Sequence, residues 1–164
     1  MTKDVLVSVK GTQIMEDEDD VVEIITSGSW YEKNGKQYLT YEESIEEGTI
    51  PTKNTLKVWP DKIEVTKRGL VESQMTFELG KRTKANYKTP MGLIVLGLTT
   101  SVLDICVEEN EISLAITYSL EMNGEYVSDC RLELAAREKK KATFFFSIHS
   151  LVKRKTRNIE SNRM

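Results

Sequence analysis

The residues best suited to chemistry in this sequence are a strand-borne set of aromatic, hydroxyl and charged side chains: Tyr41, Arg68, Met75, Phe77, Tyr87 and Thr89. Apolar bodies interrupted by a few polar groups are the composition of a small-molecule pocket, so this set predicts a binding site for a small apolar or amphipathic ligand, with Arg68 placed to meet an anionic group. Glu42 and Glu43 follow Tyr41 directly, and neighbouring strand residues point to opposite faces. They form no ready acid/base dyad, and an enzyme using Glu42 or Glu43 as acid/base is the least favoured reading because the sequence places no second polar partner; one of them can instead enter the same site beside Tyr41 or Tyr87 as a polar anchor.

Other chemical patterns fail on spacing. His149, the one histidine, and the string Ser150-Leu-Val-Lys153 lie in a basic tail, far in sequence from the strand-borne carboxylates. A phosphate loop ending at Gly80-Lys81 would need its first glycine at Met75 and a hydroxyl at Arg82. A calcium loop begun at Asp17 would need a glycine at Val22. Cys106 and Cys130 lack metal or redox spacing. The sequence therefore predicts no catalytic residues, no metal and no cofactor: a protein that is not an enzyme.

The elements that must position the pocket are strands. From Asp4 to about Ala135 apolar residues recur at every second position, the period that sends alternate side chains to opposite faces. Val5, Val7 and Val9 form one face, and Val71, Ser73, Met75, Phe77 and Leu79 another, against Glu72, Gln74, Thr76 and Glu78 on the wet side. Later inward sets are Ile112, Leu114, Ile116, Tyr118 and Leu120, then Cys130, Leu132 and Leu134. Asn34-Gly35 and Asn123-Gly124 predict tight hairpin turns, since both residue types accept a positive φ. Pro60-Asp61 predicts another turn. After the acidic run Glu16 to Asp20 the chain returns as Val21 to Thr26, Gly28-Ser29-Trp30 sits in this second strand and Tyr31 to Lys33 leads into the turn, while Met91 to Val107, with Gly92 and Gly97 inside it, reads as a bent or bulged strand pair. Trp30, in Gly28-Ser29-Trp30, is expected to plug the floor, stacked by Arg68 or Arg131.

These segments predict an all-β chain: a single up-and-down antiparallel β-barrel of about eight to ten strands over residues 1–136, since closure removes exposed strand edges. Residues 137–164 form a basic, partly apolar tail, expected as a weakly ordered end or one short helix. In charge, residues 1–136 hold 14 Lys plus Arg against 24 Asp plus Glu, a balance of −10, whereas residues 137–164 hold 9 against 2, a balance of +7. An acidic body repels phosphate backbones, so no DNA binding by the body is expected, and contact with RNA, an anionic surface or a protein is assigned to the tail. The alternative to the ligand-binding reading is a packed-core interaction module that uses the acidic body or this tail. The start of the sequence turns straight into alternating residues with no apolar signal region, which points to the cytoplasm.

Thr26-x-Gly28, Tyr31, the stretch Tyr38-Leu-Thr-Tyr41-Glu42-Glu43, Arg68-Gly69, Met75-x-Phe77-x-x-Gly80 and Tyr87-x-Thr89-x-x-Gly92 occur in that order. Taken together, over about residues 3–136, they resemble the YwiB-like family of small bacterial proteins of unknown function. The resemblance implies a calycin-like, lipocalin-like β-barrel in the cytoplasm, chiefly of Gram-positive bacteria. It implies no activity and no catalytic residues.

Overall fold

The computed structural model describes residues 1–44 and 47–139, and all of their regular structure is strand. Ten strands follow one another: β1 (Lys3–Ile14), β2 (Asp19–Lys33), β3 (Lys36–Glu43), β4 (Thr52–Val58), β5 (Lys62–Arg68), β6 (Glu72–Glu78), β7 (Arg82–Thr89), β8 (Gly92–Val107), β9 (Glu111–Met122) and β10 (Glu125–Glu138). Each pairs antiparallel with its neighbours in sequence, and β1 pairs with β10, which closes the barrel. The expected up-and-down barrel is the observed one. Its last strand runs to Glu138, where the amide of Lys139 still donates to the Asp4 carbonyl. His149, Ser150 and the rest of the tail from residue 140 lie outside the described residues.

Local chemistry sets the turns. Asn34 and Gly35 have φ of 55° and 75°, and Asn123 and Gly124 have φ of 50° and 86°, the double positive-φ geometry whose twist matches that of paired strands. Pro60-Asp61 lies within a turn closed by the Trp59 amide on the Lys62 carbonyl at 2.9 Å. Among the described residues no helix is long and apolar enough to cross a membrane.

Three expectations are corrected, at β8, Leu79 and Trp30. β2 runs unbroken through Gly28, which sits in register between Val5 and Tyr41. A Cβ there would stand 2.5 Å from the Thr40 carbonyl oxygen and 2.8 Å from Val7 Cγ2, so glycine allows β2 to cross closely over its neighbours. Met91 to Val107 is not a strand pair but the single strand β8; its irregularity falls at Ser101, while Gly97 stays paired with both Lys84 and Glu121. Leu79 is 57% exposed, since β6 stops at Glu78 and Gly80, at φ 76°, turns the chain away. Trp30 is buried as expected, but it is neither Arg68 nor Arg131 that covers it. The Lys3 Nζ lies 4.6 Å from its ring centre, and its indole N–H donates to Gln37 Oε1 at 2.7 Å.

The inward faces divide the interior into two halves. Val5, Trp30, Leu39, Val58, Ile63 and Ile112 are all buried and pack the end nearest the β2–β3, β4–β5 and β8–β9 turns. This half is solid. Toward the opposite end, where β1–β2, β3–β4 and β5–β6 connect, the side chains leave a chamber.

Candidate functional site

The chamber has a volume of about 370 Å³ and is walled by apolar residues from most of the strands, among them Val9, Leu56, Val65, Leu96, Leu98 and Leu132. That volume falls at the small end of ligand pockets. Val22 points inward and lines the chamber yet is 59% exposed, so the chamber reaches solvent beside the β1–β2 hairpin.

Of the residues expected to form the pocket, Tyr41, Met75, Phe77 and Tyr87 line the chamber. Arg68 and Thr89 do not. Ile63, Val65 and Lys67 point inward along β5, and strand parity sends Arg68 outward, where it lies with Lys53, Thr55 and Thr66 on the outer surface. Thr89 ends β7 at the rim, its hydroxyl donating to the Gly92 carbonyl at 3.0 Å and accepting from the Met91 amide at 3.1 Å. Glu43 is the inward member of the Glu42-Glu43 pair, near Tyr41 and Tyr87, as the sequence allowed.

Lys67 was not expected in the site, and it is central to it. Its Nζ donates to Glu43 Oε1 and to Asn54 Oδ1, both at 2.8 Å, with the Lys67 and Glu43 side chains only 17% and 16% exposed. Register explains why these groups meet. Tyr41 faces Asn54, Asn54 faces Lys67, Lys67 faces Ser73 and Ser73 faces Tyr87, so β3 to β7 each contribute one inward polar residue to a continuous row. Glu43 stands two residues beyond Tyr41 on the same face. The signal was in the sequence: the inward parity of Ile63 and Val65 fixes Lys67, and that of Leu56 and Val58 fixes Asn54.

This row is a polar crescent on one side of an otherwise apolar chamber. Asn54 is fully buried, and its Nδ2 and the Ser73 Oγ have no hydrogen-bond partner among the described residues. The Tyr41 and Tyr87 hydroxyls also make no hydrogen bond among them, and both phenols are pushed above their ordinary pKa by burial first and by the Glu43 carboxylate second. Tyr118 on the opposite wall is raised by burial and by Cys130. Its ring meets Phe77 at a centroid distance of 4.9 Å and a tilt of 55°. All three phenols therefore stay protonated and can donate.

An alkaline titration follows from this. The folded state holds the tyrosine protons more tightly than the unfolded chain, whose tyrosines ionise near pH 10, so stability is retained below that pH and falls as pH rises through it. For Tyr41 and Tyr118 the slope approaches about 1.4 kcal/mol per pH unit each. Ultraviolet absorbance of tyrosinate is expected to show Tyr41, Tyr87 and Tyr118 ionising late and cooperatively with unfolding; early, independent titration of every tyrosine would contradict their burial.

No group of three or more His, Cys, Asp and Glu side chains is arranged to hold a metal among the described residues. The crescent offers hydrogen bonds and one internally neutral ion pair. Of the basic cluster after Gly80, Lys81 pairs with Glu78 and Arg82 with Glu121 on the outside of the barrel. Cys106 is exposed and Cys130 buried, both as free thiols.

The fold is shared with known proteins. The chain is 27% identical over 127 residues to the uncharacterized β-barrel protein YwiB of Bacillus subtilis (strain 168), covering 76% of this chain and 88% of that protein. The crystal structure of ywiB protein from Bacillus subtilis matches with a TM-score of 0.76 at 23% identity, over 85% of this chain and 94% of that one, which establishes the common fold. Residues 7–134 match the family described as a domain of unknown function, DUF1934. Since that match spans β1 to β10, the chain belongs to the DUF1934 family, as its ordered likeness to YwiB-like proteins implied.

Proposed function

We propose that this barrel is a lipocalin-like, non-enzymatic binder of a compact molecule with an apolar body and an uncharged, acceptor-bearing head such as a carbonyl. One observation carries the reading: a solvent-reaching chamber of about 370 Å³ whose apolar wall is broken on one side by Tyr41, Glu43, Lys67 and Tyr87. The apolar wall supplies affinity, and the few polar groups fix orientation.

The crescent favours an uncharged head. Glu43 and Lys67 already neutralise each other, so a ligand carboxylate would place a second negative charge beside Glu43 in a partly buried setting. Unspent donors face the chamber: the third Lys67 N–H and the Tyr41 and Tyr87 hydroxyls. A carbonyl, ether or ester oxygen satisfies them without adding charge. Catalysis is disfavoured because Glu43 is tied to Lys67 and, among the described residues, no second carboxylate and no histidine lines the chamber. The two free thiols support a cytoplasmic setting for this binding.

Native mass spectrometry of the freshly purified chain tests the reading. A one-to-one small-molecule adduct is expected on the wild type and absent from Met75→Trp, which fills the chamber from its wall. A bare chain mass in both would count against a ligand-binding role.

A further inference from the structure

The outward face of β3, β4 and β5 runs against the charge of the rest of the barrel. Lys36, Lys53, Lys57, Lys62 and Arg68 point outward here, because Gln37, Asn54, Leu56, Ile63 and Lys67 point in. The carboxylates on the same face are Glu42 and Glu64, so it is cationic on a body, residues 1–136, whose balance is −10. None of these five cations forms an ion pair among the described residues.

Three of them gather about one ring instead. The Nζ atoms of Lys62, Lys57 and Lys36 lie 4.2, 4.8 and 5.4 Å from the centre of the half-buried Trp59. Lys57 also sits 5.6 Å over Tyr38, whose ring stacks on Tyr31 at 4.8 Å and an interplanar angle of 5°. Three like charges held round one indole repel one another, and the ring quadrupole compensates only in part. A polyanion would relieve that repulsion.

We propose that this face binds single-stranded nucleic acid, with phosphates along the Lys53, Arg68, Lys57 and Lys62 strip and a base stacked on Trp59. A base on an aromatic face gains more than an exposed lysine does there, so the base displaces the lysine, and the freed ammonium is left beside the backbone to meet a phosphate. Single strands are selected because a duplex hides its base faces, and a convex sheet with side chains projecting from it offers nothing that enters a groove. From Lys53 to Trp59 the strip extends about 20 Å, room for roughly four nucleotides. The net acidity of the body argued against such binding; the separation of charge on the sheet surface reverses that expectation at this one face. The strip is on the outside of the barrel, so it is independent of the chamber.

Tryptophan emission reads the site directly, since Trp30 is buried and hydrogen-bonded while Trp59 is not enclosed. The probe is an oligouridylate of about ten nucleotides, titrated into the full chain at low salt. Saturable quenching is expected, with log affinity falling against log salt at about 0.7 per phosphate engaged, a slope near −3. Lys57→Glu with Lys62→Glu is expected to weaken binding at least about tenfold in a chain that keeps its β-sheet circular dichroism, with a small loss of melting temperature because Lys57 faces Glu64 and Lys62 faces Glu78. The basic residues beyond 139 give their own attraction, so the position of the effect decides. Absence of quenching, equal affinity of the charge-reversed variant, or equal quenching by heparin, which has no bases, would each overturn the proposal.

Discussion

Phe77→Ala is expected to remove about 3–4 kcal/mol of stability, lowering the melting temperature by roughly 10 °C for a chain of this size. Phe77 is 1% exposed and stands where the packed half of the barrel meets the chamber, its ring tilted against Tyr118. Truncation therefore forfeits both the transfer energy of the ring and its contacts, and the backbone behind it is held against collapse by the β5–β6 register, in which Phe77 faces Ile63. Denaturant unfolding checks the value. A loss below about 1 kcal/mol would mean that the chamber is already relaxed around Phe77 and that the floor lies elsewhere.

The second large effect is at the ion pair. Lys67→Met leaves Glu43 charged, mostly buried and facing two phenols that stay neutral, while Asn54 Oδ1 loses its donor inside the sheet. Breaking a fully buried pair costs about 3–5 kcal/mol, and the residual exposure of this one brings the expectation to about 2–3 kcal/mol. Removing Glu43 as well, in Glu43→Met with Lys67→Met, is expected to recover most of that loss, since two apolar chains fill the space of the pair without desolvating a charge. The recovery stops short by about 1 kcal/mol, the cost of an Asn54 with both amide atoms unpartnered. Melting curves of the two variants decide it. If the double variant is no better than the single, the pair is not the electrostatic unit described.

These two side chains illustrate how far the sequence could be read. Phe77 was legible because it lies in an uninterrupted alternation from Val71, bounded by Gly80, where one face must be dry. Lys67 was equally fixed by parity, yet a lysine at the end of a short strand next to Arg68 gives no apolar signal, and the better hydrogen-bonding side chain, Arg68, drew the anchor role to the wrong face. The antiparallel order of neighbours followed from hairpin chemistry at Asn34-Gly35 and Asn123-Gly124, and closure from the removal of exposed strand edges. The unity of β8 did not, because a glycine in a strand reads the same whether it breaks the ladder or stays in it, and only the pairing of Gly97 with Lys84 and Glu121 distinguishes the two. The crescent itself was hidden for a further reason. It consists of residues separated by up to 46 positions in sequence, Tyr41 to Tyr87, and becomes one feature only when five strands fall into register.

Calorimetric titration with a medium-chain lactone and with its ring-opened hydroxycarboxylate tests most directly whether the chamber is a site for an uncharged head on an apolar body. The lactone is expected to bind with a negative heat-capacity change, the carboxylate more weakly, and Met75→Trp is expected to abolish both signals. Tighter binding of the carboxylate would contradict the charge argument at Glu43 and Lys67, and heats unchanged by Met75→Trp would contradict the chamber.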